Sequence, residues 1–440
     1  MEYWSRYNYC IDFSEESFLL YNSFSNAFIE LPIAIKDQIE RFKSTKNSDL
    51  FSSKTRLLLQ KTGAIYSGTE DKQLNTLRMR HGNLVFGQSK HIGFTILPTL
   101  GCNFRCSYCF ENKNQVLHSK KMSQEVQDVL VDKILQFYQK GYKISLMWFG
   151  GEPLMEKAII DYVSTRLNSM KVEYNAAMIT NGYLLTPEIV NKLAEWKIKN
   201  IQVTLDGDEY THNQRRVLVN GGGTYRTIMD NLKNLHTKEG ILTKIRVNID
   251  KTNEAVYSQM AATIERELPK MYVYPGFVTE GCNACSGKTF TTHIEKADFF
   301  IEQYKEFENT SLCYFPSFNS GHCMATDLNS WIVGPEGELY NCQSEVGLHS
   351  KIVGNIKDNC FTNMDYISEF VVGVSPFENE QCRQCTALPL CGGGCCLERI
   401  AKKNGEKMDT CTIFKDENKL GALLKIHYEI KKQLQEITTL

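Results

Sequence analysis

Three cysteines in the first half of the chain have the spacing of a cluster-binding loop. Cys102, Cys106 and Cys109 are arranged C-x3-C-x2-C within the sequence GCNFRCSYCF. Thiolates are the usual ligands of iron–sulfur clusters, and a short loop with three of them is suited to wrap one four-iron cube. Three ligands leave one iron open, which distinguishes a reactive cluster from an electron carrier. Structural zinc is the competing interpretation, but it normally requires a fourth protein ligand.

A second group of cysteines lies near the C-terminus. Cys382, Cys385, Cys391 and Cys395 follow the spacing C-x2-C-x5-C-x3-C. The further thiols available to this group are Cys323, Cys342 and Cys411. Together they can supply most ligands of two more clusters, because the glycines between them let the backbone fold tightly. Zinc stays an alternative, since four-cysteine zinc ribbons use similar C-x2-C pairs.

Other cysteines have less definite roles. Cys313 precedes Cys323 and is a candidate for the missing fourth ligand of a site with three. Cys282 and Cys285 form an isolated C-x2-C pair, for which a redox pair, metal ligands and simple neighbours are all open. Small buried packing positions are expected for two others, Cys10 and Cys360.

Composition narrows the class of protein. The 440 residues include 50 Lys and Arg against 51 Asp and Glu, a net charge of -1 that argues against nucleic-acid binding. No apolar run approaches the roughly 18 to 20 residues of a membrane span, and the start MEYWSRYNYC lacks a signal core. We therefore expect a soluble, cytoplasmic protein. Its 16 cysteines then argue for metal binding rather than disulfides.

The elements that must position these residues follow from the hydrophobic pattern. Residues 93–276 alternate apolar strand-like runs with helical patterns, which indicates repeated βα units around a parallel sheet. The six candidate strands are GFTILPTLG, KISLMWFGG, NAAMITNG, IQVTLDG, KIRVNID and MYVYPGF. The pattern alone does not choose between an open doubly wound sheet and a partial barrel.

The flanking segments have a different character. Residues 1–92 predict a small α+β domain, with antiparallel strands in YNYCIDF and SFLLYNSFSNAFIEL followed by helices. Residues 277–415 contain twelve of the sixteen cysteines and predict a domain organised by metal sites. Residues 416–440 predict an amphipathic helix that docks on the rest of the protein.

The motifs resemble those of a radical S-adenosylmethionine (SAM) enzyme with a SPASM-type C-terminal extension. This group contains anaerobic sulfatase maturases and maturases of ribosomally made peptides, and the resemblance covers about residues 93–415. Besides the cysteine spacings, it rests on three motifs at the ends of successive strands, namely Gly150-Gly151-Glu152-Pro153, Thr180-Asn181-Gly182 and Thr204-Leu205-Asp206-Gly207.

The resemblance implies a partial six-stranded barrel in which SAM chelates the open iron of the cluster on Cys102, Cys106 and Cys109. Tyr108 is then expected against the adenine, and the Gly-Gly-Glu-Pro stretch at the methionine amino group. The residues expected to bind SAM are Tyr108, Gly150, Gly151, Glu152, Pro153, Asn181, Thr204, Asp206 and Arg216. Taken alone, the two glycines also fit a simple strand-end turn, and Arg216 a solvated charge beside Arg215.

The resemblance also assigns the C-terminal cysteines, giving three 4Fe-4S clusters in all. It places Cys323, Cys342 and Cys395 on the first auxiliary cluster. It places Cys382, Cys385, Cys391 and Cys411 on the second auxiliary cluster. Cys313 is either the remaining ligand of the first auxiliary cluster or absent from it, which leaves an iron open for a substrate thiolate.

One position separates the subgroups of this family. Sulfatase maturases have an Asp, the catalytic base, directly after the cysteine equivalent to Cys342, whereas this chain has Gln343. A neutral amide cannot accept a proton, so the sulfatase-maturase interpretation loses its base unless another carboxylate substitutes. No base is assigned, and peptide maturation is favoured. The N-terminal domain then either binds a precursor's leader as an added strand or caps the barrel. The expected partners are a precursor peptide with its leader and an electron donor such as flavodoxin or ferredoxin, with no nucleic acid or membrane.

The expected reaction is reductive cleavage of SAM to a 5'-deoxyadenosyl radical, which takes a hydrogen atom from the peptide so that a thioether or carbon–carbon crosslink forms. Two alternatives remain. One is an anaerobic sulfatase-maturating enzyme that oxidises Cys or Ser to formylglycine. The other is a non-catalytic iron–sulfur or zinc scaffold. The sequence does not define the substrate, the stereochemistry, the electron donor or the oligomeric state.

Overall fold

The computed structural model describes residues 1–87, 89–109, 120–279, 287–307, 315–319, 323–358 and 360–438. Contacts divide the chain into two compact units. The first contains Met1–Gln88, Thr292–Thr326 and Phe370–Leu440, and the second contains Ser89–Thr291 and Asp327–Glu369. The predicted cysteine-rich segment 277–415 therefore contributes residues to both units.

The strands are numbered in chain order. They are β1 (Glu2–Trp4), β2 (Asn8–Asp12), β3 (Ser17–Asn22), β4 (Ala27–Pro32), β5 (Ile65–Ser67), β6 (His91–Ile96), β7 (Phe104–Cys106), β8 (Lys143–Trp148), β9 (Tyr174–Thr180), β10 (Ile198–Thr204), β11 (Arg216–Leu218), β12 (Leu242–Ile249), β13 (Tyr272–Phe277), β14 (Ser330–Val333), β15 (Glu338–Tyr340), β16 (Ile352–Asn355) and β17 (Cys360–Phe361).

The α-helices are numbered in the same way. They are α1 (Ile35–Thr45), α2 (Ser53–Lys61), α3 (Lys72–Phe86), α4 (Gln124–Gln139), α5 (Lys157–Ser169), α6 (Pro187–Lys192), α7 (Glu209–Arg215), α8 (Tyr225–His236), α9 (Tyr257–Glu267), α10 (His293–Phe307), α11 (Met364–Ser368), α12 (Glu380–Gln384), α13 (Leu388–Cys391), α14 (Cys396–Lys403) and α15 (Glu417–Thr438). Among the helices in the described ranges, none combines the length and the apolar character that a membrane crossing requires.

A parallel sheet forms the centre of the second unit. Strands β6, β8, β9, β10, β12 and β13 lie side by side in chain order, and each pairs in parallel with the next. Helices follow β8, β9, β10 and β12 and supply apolar side chains such as Ile160 and Leu232, both fully buried. The predicted six βα repeats are confirmed, in the order typical of a partial barrel.

The same sheet continues beyond its predicted edge. Strand β14 pairs in parallel with β6, and β15, β16 and β17 add antiparallel strands beyond it. Trp331 of β14 packs edge-on against Phe94 and Phe137 of the βα region. The sequence pattern assigned these short strands to the cysteine-rich segment because their apolar runs are too brief to predict a sheet.

The first unit contains the predicted antiparallel strands, with β3 between β2 and β4. One face of this sheet packs on α1 and α2 through residues such as Phe18, Leu20 and Phe42. The other face places Tyr9 and Tyr21 against Leu420 and Leu424 of α15. The C-terminal helix is therefore amphipathic and docked, as predicted.

The expectation that Cys10 is buried is wrong. Alternation along β2 directs Tyr9 and Ile11 towards the cluster that contains Leu424, and Cys10 lies on the opposite side of the strand, where it is exposed. The side chain of Cys360 lies outside the described residues.

Replacing Leu424 by Ala tests the docking of α15. The fully buried side chain belongs to the same apolar cluster as both tyrosines of the sheet, so its truncation should lower the free energy of unfolding by about 2–5 kcal/mol. Urea denaturation under nitrogen, followed by circular dichroism, measures this change. Leu57→Ala in α2, where the side chain is 51% exposed, is the control and should change stability little. Equal effects of the two variants would contradict the packing.

Candidate functional site

The three cysteines of the C-x3-C-x2-C loop lie together at the carboxyl end of the parallel sheet. Cys102, Cys106 and Cys109 line one cavity of about 400 Å³ in the second unit. Each thiol in this structure stands in for the thiolate that is predicted to bind iron. Short antiparallel pairing of β7 with β11 fixes the loop and places Arg216 directly opposite Cys106.

Cys106 and Arg216 share a buried environment. Burial raises the pKa of the Cys106 thiol to about 11, and the guanidinium of Arg216 acts in the opposite direction. A thiolate in such surroundings needs a nearby positive charge, because desolvation otherwise disfavours it. The pairing of β7 with β11 supplies that charge from a position far along the chain.

Two glycines bring the loop after β8 against the cysteine loop. A Cβ atom on Gly151 would lie 2.2 Å from the carbonyl oxygen of Gly101, and one on Gly150 would lie 2.5 Å from that of Thr99. The amide of Glu152 donates to the Gly101 carbonyl at 2.9 Å. Both glycines line the cavity. They are therefore required by close backbone approach as well as by a turn.

Glu152 holds two loops together from behind the cavity wall. The side chain is fully buried. Its Oε1 accepts from the Leu154 amide at 3.1 Å and the Thr180 hydroxyl at 2.7 Å, and its Oε2 accepts from the Asn181 amide at 2.8 Å. Burial raises the pKa of this carboxyl, although these hydrogen bonds act against the rise. Neither Glu152 nor the buried Pro153 is part of the described cavity lining.

Asn181 and Thr204 face the cavity from the ends of β9 and β10. The side-chain nitrogen Nδ2 of Asn181 donates to Asn103 Oδ1 at 2.8 Å and lies 3.9 Å from the Cys102 sulfur. Asn181, which directly follows β9 and is predicted to bind SAM, therefore lies beside the cysteine loop.

Tyr108 is the centre of a buried hydrogen-bond network. Its hydroxyl donates to Asp206 Oδ2 and accepts from Arg216 Nη1 at 2.6 Å and Asn248 Nδ2 at 3.0 Å. Asp206, which is fully buried, also accepts from the Asn248 amide at 3.1 Å. Tyr108 and Arg216 line the cavity, and Asp206 lies behind them.

Neither arginine of the pair Arg215 and Arg216 is a solvated charge, so that alternative interpretation is wrong. Each is 7% exposed. Arg215 forms ion pairs with Asp250 at 2.8 Å and Asp206 at 3.4 Å, which the sequence did not predict. The Nε atom of Arg216 is buried without a hydrogen-bond partner in the described part of the chain.

His212 is a further residue that the sequence analysis missed. Its Nδ1 accepts from the Asp206 amide at 3.3 Å, so Nε2 carries the hydrogen and donates to Thr224 Oγ1 at 2.9 Å. Thr224 in turn donates to the Arg216 carbonyl at 2.6 Å. Burial, with the two neighbouring arginines, lowers the pKa of His212 well below its usual value. The neutral ring therefore holds the backbone of Asp206 directly and that of Arg216 through Thr224.

The cavity lining away from the cysteine loop combines polar and apolar side chains and contains no carboxylate in the described residues. The residues there are Gln202, Arg246, Asn248, Phe277, Val278, Thr279, Gln343 and Ser344. No Asp or Glu is present in the described lining. Gln343 therefore faces the same space as the cysteine loop, and the neutral amide noted in the sequence is a wall of the cavity.

Four C-terminal cysteines line a cavity of about 370 Å³ in the first unit, and they are the predicted set Cys382, Cys385, Cys391 and Cys411. The Lys415 ammonium donates to the Cys411 sulfur at 3.1 Å, and Arg399 Nη1 donates to the Cys382 sulfur at 3.4 Å. Positive charges beside thiols favour the thiolate form that binds metal.

The glycines between these cysteines have a steric reason. Gly392, Gly393 and Gly394 all have positive φ angles, of 58°, 102° and 75°. A Cβ atom on Gly394 would lie 2.3 Å from the Thr410 carbonyl oxygen, next to Cys411. The run thereby brings the segment of Cys391 against that of Cys411, as their predicted joint role requires.

The cysteines predicted for the first auxiliary cluster are distributed differently. Cys323 and Cys395 are neighbours in the first unit, close enough for their charges to interact. Cys323 also forms a side-chain hydrogen bond with Cys396. Cys342 belongs to the second unit, near Tyr366. Three further cysteines with predicted or open roles, Cys282, Cys285 and Cys313, lie outside the described residues. Within the described ranges, no three His, Cys, Asp or Glu side chains are arranged to hold a single metal ion.

Residues 96–255 match the family model of the Radical SAM superfamily. The chain therefore contains a radical SAM domain. Radical SAM enzymes use SAM and a 4Fe-4S cluster, and these are the cofactors of the family to which the second unit belongs.

Individual comparisons relate the chain to sulfatase maturases and peptide maturases. It is 22% identical over 335 residues to a cysteine-type anaerobic sulfatase-maturating enzyme of Clostridium novyi (strain NT), covering 70% of this chain and 88% of the relative. The solved structure of native anSMEcpe with bound AdoMet matches with a TM-score of 0.59 and 18% identity, covering 79% of this chain and 99% of that one. Streptococcus suis SuiB bound to precursor peptide SuiA matches with a TM-score of 0.51 and 15% identity, covering 94% and 99%.

Gly151→Ala tests the contact between the two loops of the radical SAM site. The added methyl group meets the backbone of Gly101, so the loops must separate, which should cost about 1–3 kcal/mol and weaken SAM binding. Urea denaturation and equilibrium dialysis of SAM measure the two effects. Gly82→Ala in α3 is the control, because nothing lies within 4 Å of the added atom. Unaltered stability and SAM affinity in Gly151→Ala would show that the loops are not in contact.

Asp206→Asn tests the buried charge network. Removing the carboxylate leaves two buried arginines with less negative charge, and the loss of one partner of a buried ion pair costs about 3–5 kcal/mol. The variant should unfold at lower urea concentration and bind SAM more weakly. The control is Asp208→Asn, at an exposed helix cap where Asn also accepts the Thr211 amide hydrogen. Equal behaviour of the two variants would refute the network.

Proposed function

We propose that this radical SAM enzyme modifies a ribosomally made precursor peptide by forming a thioether or carbon–carbon crosslink. The observation that carries the proposal is the cavity itself. It contains the three cysteines of the cluster loop and Gln343 at the position of the sulfatase-maturase base, and its described lining has no carboxylate.

The residues present fit the expected cofactors. Cys102, Cys106 and Cys109 supply three thiolates to one cluster and leave one iron for SAM. The buried, unpartnered Nε of Arg216 and the hydroxyl of Thr204 suit the carboxylate of SAM, and the loop of Gly150 and Gly151 gives its small polar end close access to the backbone. When bound, the cluster and SAM supply a 5'-deoxyadenosyl radical that removes a hydrogen atom from the peptide.

The chain's own residues hold this site in place. Asp206 balances the charge of Arg215 and orients Tyr108, whose ring lies at the cavity wall beside the cluster loop. Glu152 joins the loops after β8 and β9, so its proposed contribution is to position Asn181 and the two glycines. These buried contacts restrict motion and exclude water from the reacting atoms.

Gln343 favours crosslinking over formylglycine formation. Sulfatase maturases, which the chain resembles, have an Asp at this position as the base for the oxidation of Cys or Ser, and an amide cannot take over that role. In a crosslink the peptide loses two hydrogen atoms: one is transferred to the nucleoside, and the other leaves as a proton, which passes to water or to a basic group of the peptide, while an electron passes to an acceptor. The C-terminal cysteines are the proposed site of that acceptor.

We assign Cys382, Cys385, Cys391 and Cys411 to an auxiliary 4Fe-4S cluster. All four line one cavity, and Lys415 and Arg399 bring positive charge to two of the sulfurs. Cations beside thiolates lower the net negative charge of such a site and favour its reduction. The assignment of Cys323, Cys342 and Cys395, with Cys313, to another auxiliary cluster rests on sequence spacing and stays a prediction.

The leader of the precursor has a suitable position in the first unit. Both faces of the β2–β3–β4 sheet are covered, one by α1 and α2 and the other by α15 and neighbouring residues. Strands β2 and β4 each have one partner strand in the described part of the chain. An added strand can therefore join this sheet only at an edge, which is the mode proposed for the leader.

Anaerobic reconstitution with iron and sulfide tests the proposed function. Reduced protein should convert SAM to 5'-deoxyadenosine, and a precursor peptide encoded beside the gene should lose the mass of two hydrogen atoms per crosslink. The variant with Ala at Cys102, Cys106 and Cys109 should contain less iron and release no nucleoside. Iron and sulfide counts without nucleoside formation by the unaltered protein would favour the scaffold alternative.

A second readout separates crosslinking from formylglycine formation. Formylglycine carries an aldehyde that reacts with hydrazines, whereas a thioether or carbon–carbon crosslink does not. Peptide products that label with a hydrazine would overturn the crosslinking proposal in favour of sulfatase maturation. Formylglycine from Ser has lost two hydrogens, whereas formylglycine from Cys has lost two hydrogens and exchanged its sulfur for oxygen.

A further inference from the structure

We propose that Arg246 selects the substrate by binding the side-chain carboxylate of an Asp or Glu in the peptide segment that enters the cavity. This inference rests on the proposed function and specifies its substrate. Arg246 lies on β12, opposite Thr204 of β10 and Tyr274 of β13, and its side chain lines the cavity. No cofactor role was predicted for it.

The guanidinium of Arg246 is held in place by neutral groups. Its Nε donates to Asn248 Oδ1 at 2.8 Å, and the guanidinium also donates to Tyr274, whose hydroxyl donates to Gln202 Oε1 at 2.5 Å. Among the described residues no carboxylate forms an ion pair with Arg246. Its planar group is therefore oriented by hydrogen bonds while its charge is not neutralised by these partners.

A glycine provides the space that this arrangement needs. A Cβ atom on Gly276 would lie 2.6 Å from both Nε and Nη2 of Arg246. The guanidinium thus lies flat against the β13 backbone, and any other residue at position 276 would displace it. A cation positioned in this way presents its remaining donors to the cavity, where a carboxylate can accept two parallel hydrogen bonds.

The charge of the cavity lining favours an anionic group at this position. Its described lining contains two arginines and no Asp or Glu. Arg216 already contacts Tyr108 and lies beside Cys106 at the cluster loop, whereas the partners of Arg246 are on the β12 and β13 side. A second cation in a partly enclosed site needs a counter-charge, and a peptide carboxylate supplies it.

SAM also carries a carboxylate, so the two sources must be distinguished. The side chains proposed for the SAM carboxylate are those of Arg216 and Thr204, and Thr204 is the cross-strand neighbour of Arg246. If Arg246 binds SAM instead, its removal weakens SAM affinity and leaves peptide selection unaltered. If it binds the peptide, the effect depends on which peptide residue carries the charge.

The experiment uses anaerobic, cluster-loaded full-length enzyme with SAM and the precursor peptide encoded beside the gene. Each Asp and Glu of the precursor is replaced in turn by Asn or Gln, and kcat/KM for crosslinking is measured. One replacement should lower kcat/KM by about 10- to 100-fold, the range expected for a lost charge-assisted hydrogen bond. In Arg246→Gln the same replacement should have little further effect.

Three variants make the result specific. Arg246→Glu should regain activity on a peptide with Lys at the critical acidic position. Gly276→Ala keeps Arg246 but places a methyl group against its guanidinium, so this variant should show a reduced preference for the acidic peptide. Lys244→Gln, an exposed residue on the same strand, is the control and should keep the preference of the unaltered protein.

Each outcome decides between the claims. Equal crosslinking of acidic and neutral peptides by the unaltered enzyme overturns the role of Arg246 and leaves the proposed function in place. A higher dissociation constant for SAM in Arg246→Gln, with peptide preference retained, assigns the arginine to SAM and also overturns it. A failure of every peptide to stimulate 5'-deoxyadenosine formation or to be modified overturns the proposed function and the inference together.

Discussion

The site depends on the pairing of positive and negative side chains that are buried from solvent. Arg215, Arg216, Asp206 and Asp250 are all buried, and their contacts place the hydroxyl of Tyr108 and the chain around Cys106. Buried ions are tolerated only when they are paired and hydrogen-bonded, so the geometry of each group restricts the others. The neutral His212 completes this arrangement by bonding to the backbone of Asp206 and, through Thr224, of Arg216.

This constraint explains how the elements position the chemistry. Parallel strands bring the residues that follow them to one edge, which is where the cysteine loop, the glycine pair and Asn181 meet. The short pairing of β7 with β11 then carries Arg216 to Cys106 across a large separation in sequence. A comparable principle operates at the C-terminal cysteines, where Lys415 and Arg399 approach two sulfurs and a run of glycines allows close backbone contact.

Features carried by local patterns were predictable from sequence. The six parallel strands followed from apolar runs alternating with helical periodicity, and the cysteine loop followed from spacing at the end of the first strand. The docking of α15 followed from its amphipathic pattern. The edge extension by β14 to β17 was not predictable, because strands of two to four residues carry no clear periodicity.

Features that depend on long-range contacts also escaped prediction. Arg215 has the composition of a surface residue, and only the fold shows the buried carboxylates of Asp206 and Asp250 with which it forms ion pairs. Arg246 lies among alternating residues of a strand without a motif, and its position depends on Gly276 from the next strand. Cys10 shows the reverse case, since a residue type that is usually buried is exposed on β2.

Electron–nuclear double resonance on the reduced, anaerobically reconstituted protein detects whether SAM binds the cluster through its amino and carboxylate groups. We expect the loop of Cys102, Cys106 and Cys109 to hold a cluster with one iron free for SAM. SAM labelled with ¹⁵N at its amino group and ¹⁷O at its carboxylate should show hyperfine coupling from both labels, and replacing Cys106 by Ala should abolish it. A reduced cluster that forms on these cysteines but shows no coupling to either label would contradict the account.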